Sequence, residues 1–168
     1  MRRLLAVIAL IVASFAWLMP TGYAVGTARD SVKGTAQHLG ADAPYPVIEV
    51  NINARSRADG THDRGRVVVS NISPIASYQG RVTCLRVRGS QATIGIEIVR
   101  STDPTLVGRG QLWNVVDGGS TGQPDRIAGY PTTSTPPSRC PALSFSVPVV
   151  SGDYAITAGS GLNGLRGS

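Results

Sequence analysis

Few residues in this chain are suited to chemistry: two cysteines, two histidines, two glutamates and a set of aspartates and arginines spread along 168 positions. Neither Cys84 nor Cys140 has a histidine or a second cysteine close in sequence, so a metal site or thiol nucleophile lacks partners. An even cysteine count in a chain bound for an oxidising compartment is normally paired, and a Cys84–Cys140 disulfide is expected. Any histidine-dependent hydrolase must use His38 or His62. Both lie in Gly- and Ala-rich, loop-like stretches, which reads as solvated histidine. Asp63 follows His62, but neighbours on an extended chain point in opposite directions and form no acid–base couple. Glu49 and Glu97 would need to stand about 5–9 Å apart to cleave a glycoside. Nothing in the sequence brings them together, and Glu97 is expected to pair with a nearby arginine on a sheet face.

Two other clusters invite a binding reading. Asp117 and Asp125 flank a Gly-rich loop and could face each other across a hairpin neck, where carboxylates and loop carbonyls suit Ca²⁺. Their spacing matches no EF-hand, and ordinary turn hydrogen bonding explains them as well. Arg86 and Arg88, with Arg81 and Arg100 near the open end of the same hairpin, form a candidate surface for an anionic wall polymer or envelope protein, against the alternative of a solvated face. Trp113, Tyr78, Tyr45, Tyr130 and Tyr154 could line a cleft for carbohydrate or lipid, though aromatics in a β-domain more often pack in the core. The formal charge of +6 includes Arg2 and Arg3, and the basic residues form no run, so nucleic acid is not an expected partner. No catalytic residue, cofactor or firm metal site is assigned.

The elements that would position these residues begin after an export leader. Met1-Arg2-Arg3 is positive, Leu4 to Met19 carries no charge, and Gly22-Tyr23-Ala24 supplies small residues for cleavage. That apolar run is short of the roughly 20 residues needed to span a bilayer, so no stable membrane span is expected after processing. Residues 1–24 are read as a signal peptide, 25–158 as one domain, and 159–168 as a flexible Gly-rich tail. Secretion, or an extracellular location at the envelope, follows from the leader.

From about residue 45 onward the apolar residues alternate. Ile48, Val50, Ile52 and Ala54 share one face, with Glu49, Asn51 and Asn53 on the other. Arg66 to Ile72 makes a second strand. In Arg81 to Arg100 two β-type runs flank Gly89-Ser90, a dipeptide suited to a type II′ turn. Counting outward from Arg88 opposite Gln91 places Val87, Leu85 and Thr83 beside Ala92, Ile94 and Ile96. Cys84 then faces Gly95, which leaves room for the Tyr130–Pro141 segment to cross the outer face and be pinned by Cys140. Gly110–Asp117 with Asp125–Gly129, then Leu143–Val147 and Tyr154–Ala158, supply further strands, and Asp30–Gln37 a first one. About eight short strands joined by turns predict an all-β domain: an antiparallel β-barrel with mostly sequential pairing, or a β-sandwich.

Asp30-Ser31-Val32-Lys33-Gly34, the Gly80–Val87 string Gly-Arg-Val-Thr-Cys-Leu-Arg-Val followed by Ala92-Thr93-Ile94-Gly95, Val115-Val116-Asp117-Gly118-Gly119 and Cys140-Pro141 resemble a group of small exported β-domain proteins frequent in actinobacteria. The resemblance covers residues 30–158 and implies export, a single β-domain and the disulfide. It brings no activity with it. The expected function is therefore a non-enzymatic exported binding or structural module. A small-ligand carrier with a cavity inside the barrel is the alternative, and a hydrolase ranks last for want of a nucleophile–base pair. An enclosed pocket with convergent polar groups would favour the carrier, and a packed interior would exclude it.

Overall fold

A computed structural model describes residues 29–40, 47–57, 62–71 and 76–159. Residues 1–28, Tyr45, Ile72 and residues 160–168 lie outside the described residues, and with them the expected leader and most of the expected tail. The fold is all-β, with nine antiparallel strands in one sheet: β1 (Ser31–Leu39), β2 (Val47–Arg55), β3 (Arg64–Asn71), β4 (Tyr78–Arg88), β5 (Gln91–Ser101), β6 (Gly110–Val116), β7 (Arg126–Gly129), β8 (Val147–Pro148) and β9 (Ser151–Thr157). Pairing is sequential from β1 to β8, and β9 returns to the free edge of β1, giving the order β8-β7-β6-β5-β4-β3-β2-β1-β9. A single curled sheet excludes the sandwich.

The curl is a half-barrel, and the way its two edges meet follows from the chain itself. Only Val149 and Val150 separate the edge strands β8 and β9. The Val149 N–H donates to the Asp125 carbonyl on one side (2.9 Å), and the Val150 N–H to the Gln37 carbonyl on the other (2.7 Å). With β8 only two residues long, no ladder joins it to β9. Carboxylates take the place of the ladder. Asp125 accepts the Tyr154 N–H on Oδ2 (2.5 Å) and the Gly118 N–H on Oδ1 (2.9 Å), while Asp117 accepts the Ile156 N–H (3.1 Å). Alternate N–H groups of β9 are thereby satisfied without a neighbouring strand, which blunts an otherwise exposed edge.

Inward-facing aliphatics at period two fill the middle of the half-barrel, among them Val50, Ile52, Val67, Ile94, Ile96 and Val115. Each such side chain contributes about 1.5–3 kcal/mol on full burial. Tyr154 belongs to this core; it is 1% exposed and its hydroxyl donates to the Val50 carbonyl at 2.8 Å. Burial raises its phenol above the ordinary value.

The β4–β5 hairpin turns at Gly89-Ser90 with Gly89 at φ 58°, and Arg88 pairs with Gln91 and Cys84 with Gly95. Ser90 lacks a positive φ, as a type II′ turn requires. One pairing differs from the expectation. Val82, not Thr83, faces Ile96, because the register shifts between Val82 and Cys84. The bulge turns Thr83 away from the apolar face, and its hydroxyl donates to the Pro137 carbonyl at 2.7 Å.

The Cys84–Cys140 disulfide is formed, with Cα atoms 5.6 Å apart. The segment ahead of Cys140 crosses the outer face as expected. A Cβ on Gly95 would stand 2.5 Å from Cys84 Sγ and 2.7 Å from the Pro137 ring, so a glycine is needed under the strap. Leu143–Ser146 is not a strand. Its carbonyls are taken by side chains: Gln91 Nε2 donates to Leu143 O, and the fully buried Asn114 donates to Phe145 O at 2.9 Å. Only Val147–Pro148 is left to pair with β7.

Candidate functional site

The filled core does not reach both ends of the half-barrel. At the end where β1 and β3 finish and β2, β4 and β6 begin, a cavity of about 850 Å³ opens. Its walls are Ile48, Val69, Leu106, Trp113 and Val147, with Tyr78, Gln111 and His38 among them. Gly129, opposite Trp113 in the β6–β7 ladder, is what lets the indole lie against the wall. A Cβ there would come within 2.9 Å of the ring.

The polar groups of the cavity fall into two sets. Tyr78 and Gln111 have partners, since the Tyr78 hydroxyl donates to Gln111 Oε1 and Gln111 Nε2 donates to the Tyr130 carbonyl at 2.9 Å. Burial holds the Tyr78 phenol well above its ordinary value, so it stays protonated. His38 and Trp113 are different. They are 5% and 3% exposed, their rings meet edge-on with centroids 6.4 Å apart, and His38 Nε2 and Trp113 Nε1 are buried without a hydrogen-bond partner. Unpaired buried polar atoms cost about 1–3 kcal/mol each. His38 Nδ1 lies 3.1 Å from the Leu39 carbonyl. That contact places the ring proton on Nδ1 and leaves Nε2 as an acceptor. Burial pushes the His38 pKa below its ordinary value of 6.5, which keeps the ring neutral at pH 7. Two residues of the cavity wall therefore hold one unused acceptor and one unused donor, each covered by neighbouring atoms.

The rim is apolar. Leu39, Phe145 and Val150, each at least 45% exposed, all line the mouth, and among the described residues only Val107 is another large hydrophobic so exposed. Asp103 also lines the cavity. Its carboxylate accepts from the Thr105 hydroxyl and N–H, caps the short 3₁₀ turn Pro104–Leu106, and is held below the usual carboxylate range by those bonds.

The sequence-expected residues distribute as follows. Trp113 and Tyr78 line the cavity, whereas Tyr154 is core. His38 is not a solvated loop histidine. β1 runs on to Leu39, and Val32, Ala36 and His38 share its inward face, an alternation the sequence carries but its Gly and Ala neighbours disguise. His62 is exposed, as expected. Glu97 pairs with Arg81 at 2.6 Å, and Glu49 with Gln37 at 3.3 Å. Of the four hairpin arginines, Arg86 and Arg88 stand toward the turn, opposite Thr93 and Gln91, while Arg81 and Arg100 stand toward the open end, where Arg81 pairs with Glu97. Asp117 and Asp125 do stand at a hairpin neck, but their oxygens face amide hydrogens, which a cation would have to displace. Among the described residues no group of three or more His, Cys, Asp or Glu is placed to hold a metal.

Comparison of the chain with protein-family models, with curated proteins and with solved structures finds no match in any of the three.

Proposed function

We propose that this protein is a non-enzymatic binding module that carries a small, mostly apolar, uncharged ligand in the open end of its half-barrel. The observation that carries the reading is the cavity of about 850 Å³, walled by aliphatic and aromatic side chains, with the unpaired atoms His38 Nε2 and Trp113 Nε1 in residues of its wall. Ligand pockets commonly enclose about 300–1,000 Å³ with this mixture of apolar wall and few polar groups. An acceptor beside a donor suits a hydroxyl, which supplies one of each. The apolar rim favours a partner that leaves a lipid or another greasy phase. A neutral His38 and the Asp103 carboxylate at the mouth disfavour an anionic head group. The disulfide and the apolar leader support a place of action outside the cytoplasm.

The test is titration of the protein with decanol and with decanoate, followed by tryptophan fluorescence. Decanol should give a saturable change that is lost in Trp113→Phe and weakened at least tenfold in Val69→Phe, whose larger ring fills the wall. Decanoate should bind more weakly. If neither probe gives a saturable signal, and solvent extraction of protein from its natural source yields no bound small molecule, the carrier reading is wrong.

A further inference from the structure

The opposite end of β1, β2 and β3 holds a second site of different chemistry. Arg55 stands directly opposite Arg64 in the β2–β3 ladder, and Ser31, two residues after Arg29, stands opposite Arg55 in the β1–β2 ladder. The Ser56 N–H donates to the Asp30 carbonyl at 2.9 Å, which ties the two strand ends together and sets Arg29 and Arg57 beside the pair. Arg29, Arg55, Arg57, Arg64, Ser56 and His62 line a concavity of about 90 Å³. We propose that this concavity is an oxyanion site that takes a phosphate group.

Three observations support it. Like charges facing each other across a ladder are destabilising, and among the described residues none of these four arginines forms an ion pair. The two acids adjacent in sequence are engaged elsewhere: Asp30 accepts the Gly159 N–H at 2.7 Å, and Asp63 the Leu85 N–H at 3.1 Å. Ser56, a residue of the concavity's wall, is 2% exposed, and its covered hydroxyl has no partner. An oxyanion would answer both needs, since guanidinium groups grip phosphate oxygens with paired N–H donors and a serine hydroxyl adds another. The volume is that of about three waters at roughly 30 Å³ each, enough for one tetrahedral head and little more. All four arginines are exposed, so a phosphate ester can enter with its remainder left in solvent. The site lies at the other end of the strands from the apolar cavity and does not depend on that cavity's function.

Calorimetric titration with inorganic phosphate, at ionic strength fixed with chloride, tests the assignment. Saturable one-site binding is expected, with a rise in Tm that equal ionic strength of chloride does not reproduce. Arg55→Gln/Arg64→Gln should weaken binding at least tenfold while melting in chloride no lower than wild type, because it removes a repulsion. Ser56→Ala should weaken binding several-fold, and Arg81→Gln/Arg88→Gln should leave it unchanged. Glycerol phosphate binding more tightly than inorganic phosphate would mark the physiological group as an ester, equal affinity would mark the free ion, and either supports the site. Absence of saturable binding, an unchanged affinity in Arg55→Gln/Arg64→Gln, or equal weakening by Arg81→Gln/Arg88→Gln would overturn it. Should the Arg55/Arg64 double variant fail to fold, ³¹P line broadening of inorganic phosphate by the wild-type protein decides instead. Reversal by sulfate but not by chloride supports the site, and no broadening refutes it.

Discussion

Replacing Asp125 by alanine removes the side chain that closes the half-barrel. Its carboxylate is 4% exposed and accepts two backbone N–H groups, from Gly118 at 2.9 Å and Tyr154 at 2.5 Å. Both donors belong to backbone that has no strand beside it there, so alanine leaves two amides unpaired. At about 1–3 kcal/mol for each orphaned buried donor, the loss is roughly 2–6 kcal/mol. That is a large part of the 5–15 kcal/mol typical of a whole domain. At about 4 °C per kcal/mol, Tm should fall by roughly 8–24 °C. Asp125→Asn keeps one acceptor oxygen and should lose about half as much. Urea denaturation gives the free energy, and amide hydrogen exchange at Tyr154 locates it. If Asp125→Ala costs less than about 1 kcal/mol, or leaves Tyr154 exchange unchanged, the carboxylate does not hold the seam. A rise in wild-type Tm with Ca²⁺ that disappears in Asp125→Asn would instead make the Asp117–Asp125 neck a cation site.

Three other outcomes follow from the geometry. Cys84→Ala/Cys140→Ala opens a loop of 56 residues and should lose about 4 kcal/mol in the chain-entropy account, measured by urea denaturation against wild type. Gly95→Ala places a methyl 2.5 Å from Cys84 Sγ and should cost about 1–3 kcal/mol while speeding reduction of the disulfide by dithiothreitol, followed by thiol labelling. His38 titrates below its ordinary 6.5, so the unfolded chain binds the extra proton first: its contribution is intact above pH 6.5 and is lost as pH falls from there through the lowered folded value. Burial raises Asp30 above its ordinary 3.8 and so acts oppositely, adding stability as pH falls toward 3.8; the His38 slope is therefore the difference between wild type and His38→Gln in melting curves taken from pH 7 downward.

Local pattern was enough for much of this architecture. Ile48, Val50, Ile52 and Ala54 alternate with polar neighbours, which is sufficient to make β2 and assign its faces. Gly89-Ser90 sets a turn whose register carries Cys84 to Gly95, and from there the need for an overlying strap and its disulfide could be read. What failed locally was whatever depended on a partner distant in sequence. The bulge at Thr83 exists because its hydroxyl reaches Pro137, and Leu143–Ser146 is pulled out of the sheet by Gln91 and Asn114.

Both sites belong to that second category. His38 looks like a loop residue until β1 is paired on both sides, and Trp113 has an orphaned N–H because the groups packed over it accept no hydrogen bond. Arg29 lies far along the chain from Arg55 and Arg64, and only the β1–β2–β3 register brings the three charges to one place. A strand's own alternation decides which way each side chain points; which groups then face one another, and whether anything fills the space between them, is decided only when the curled sheet brings its ends together.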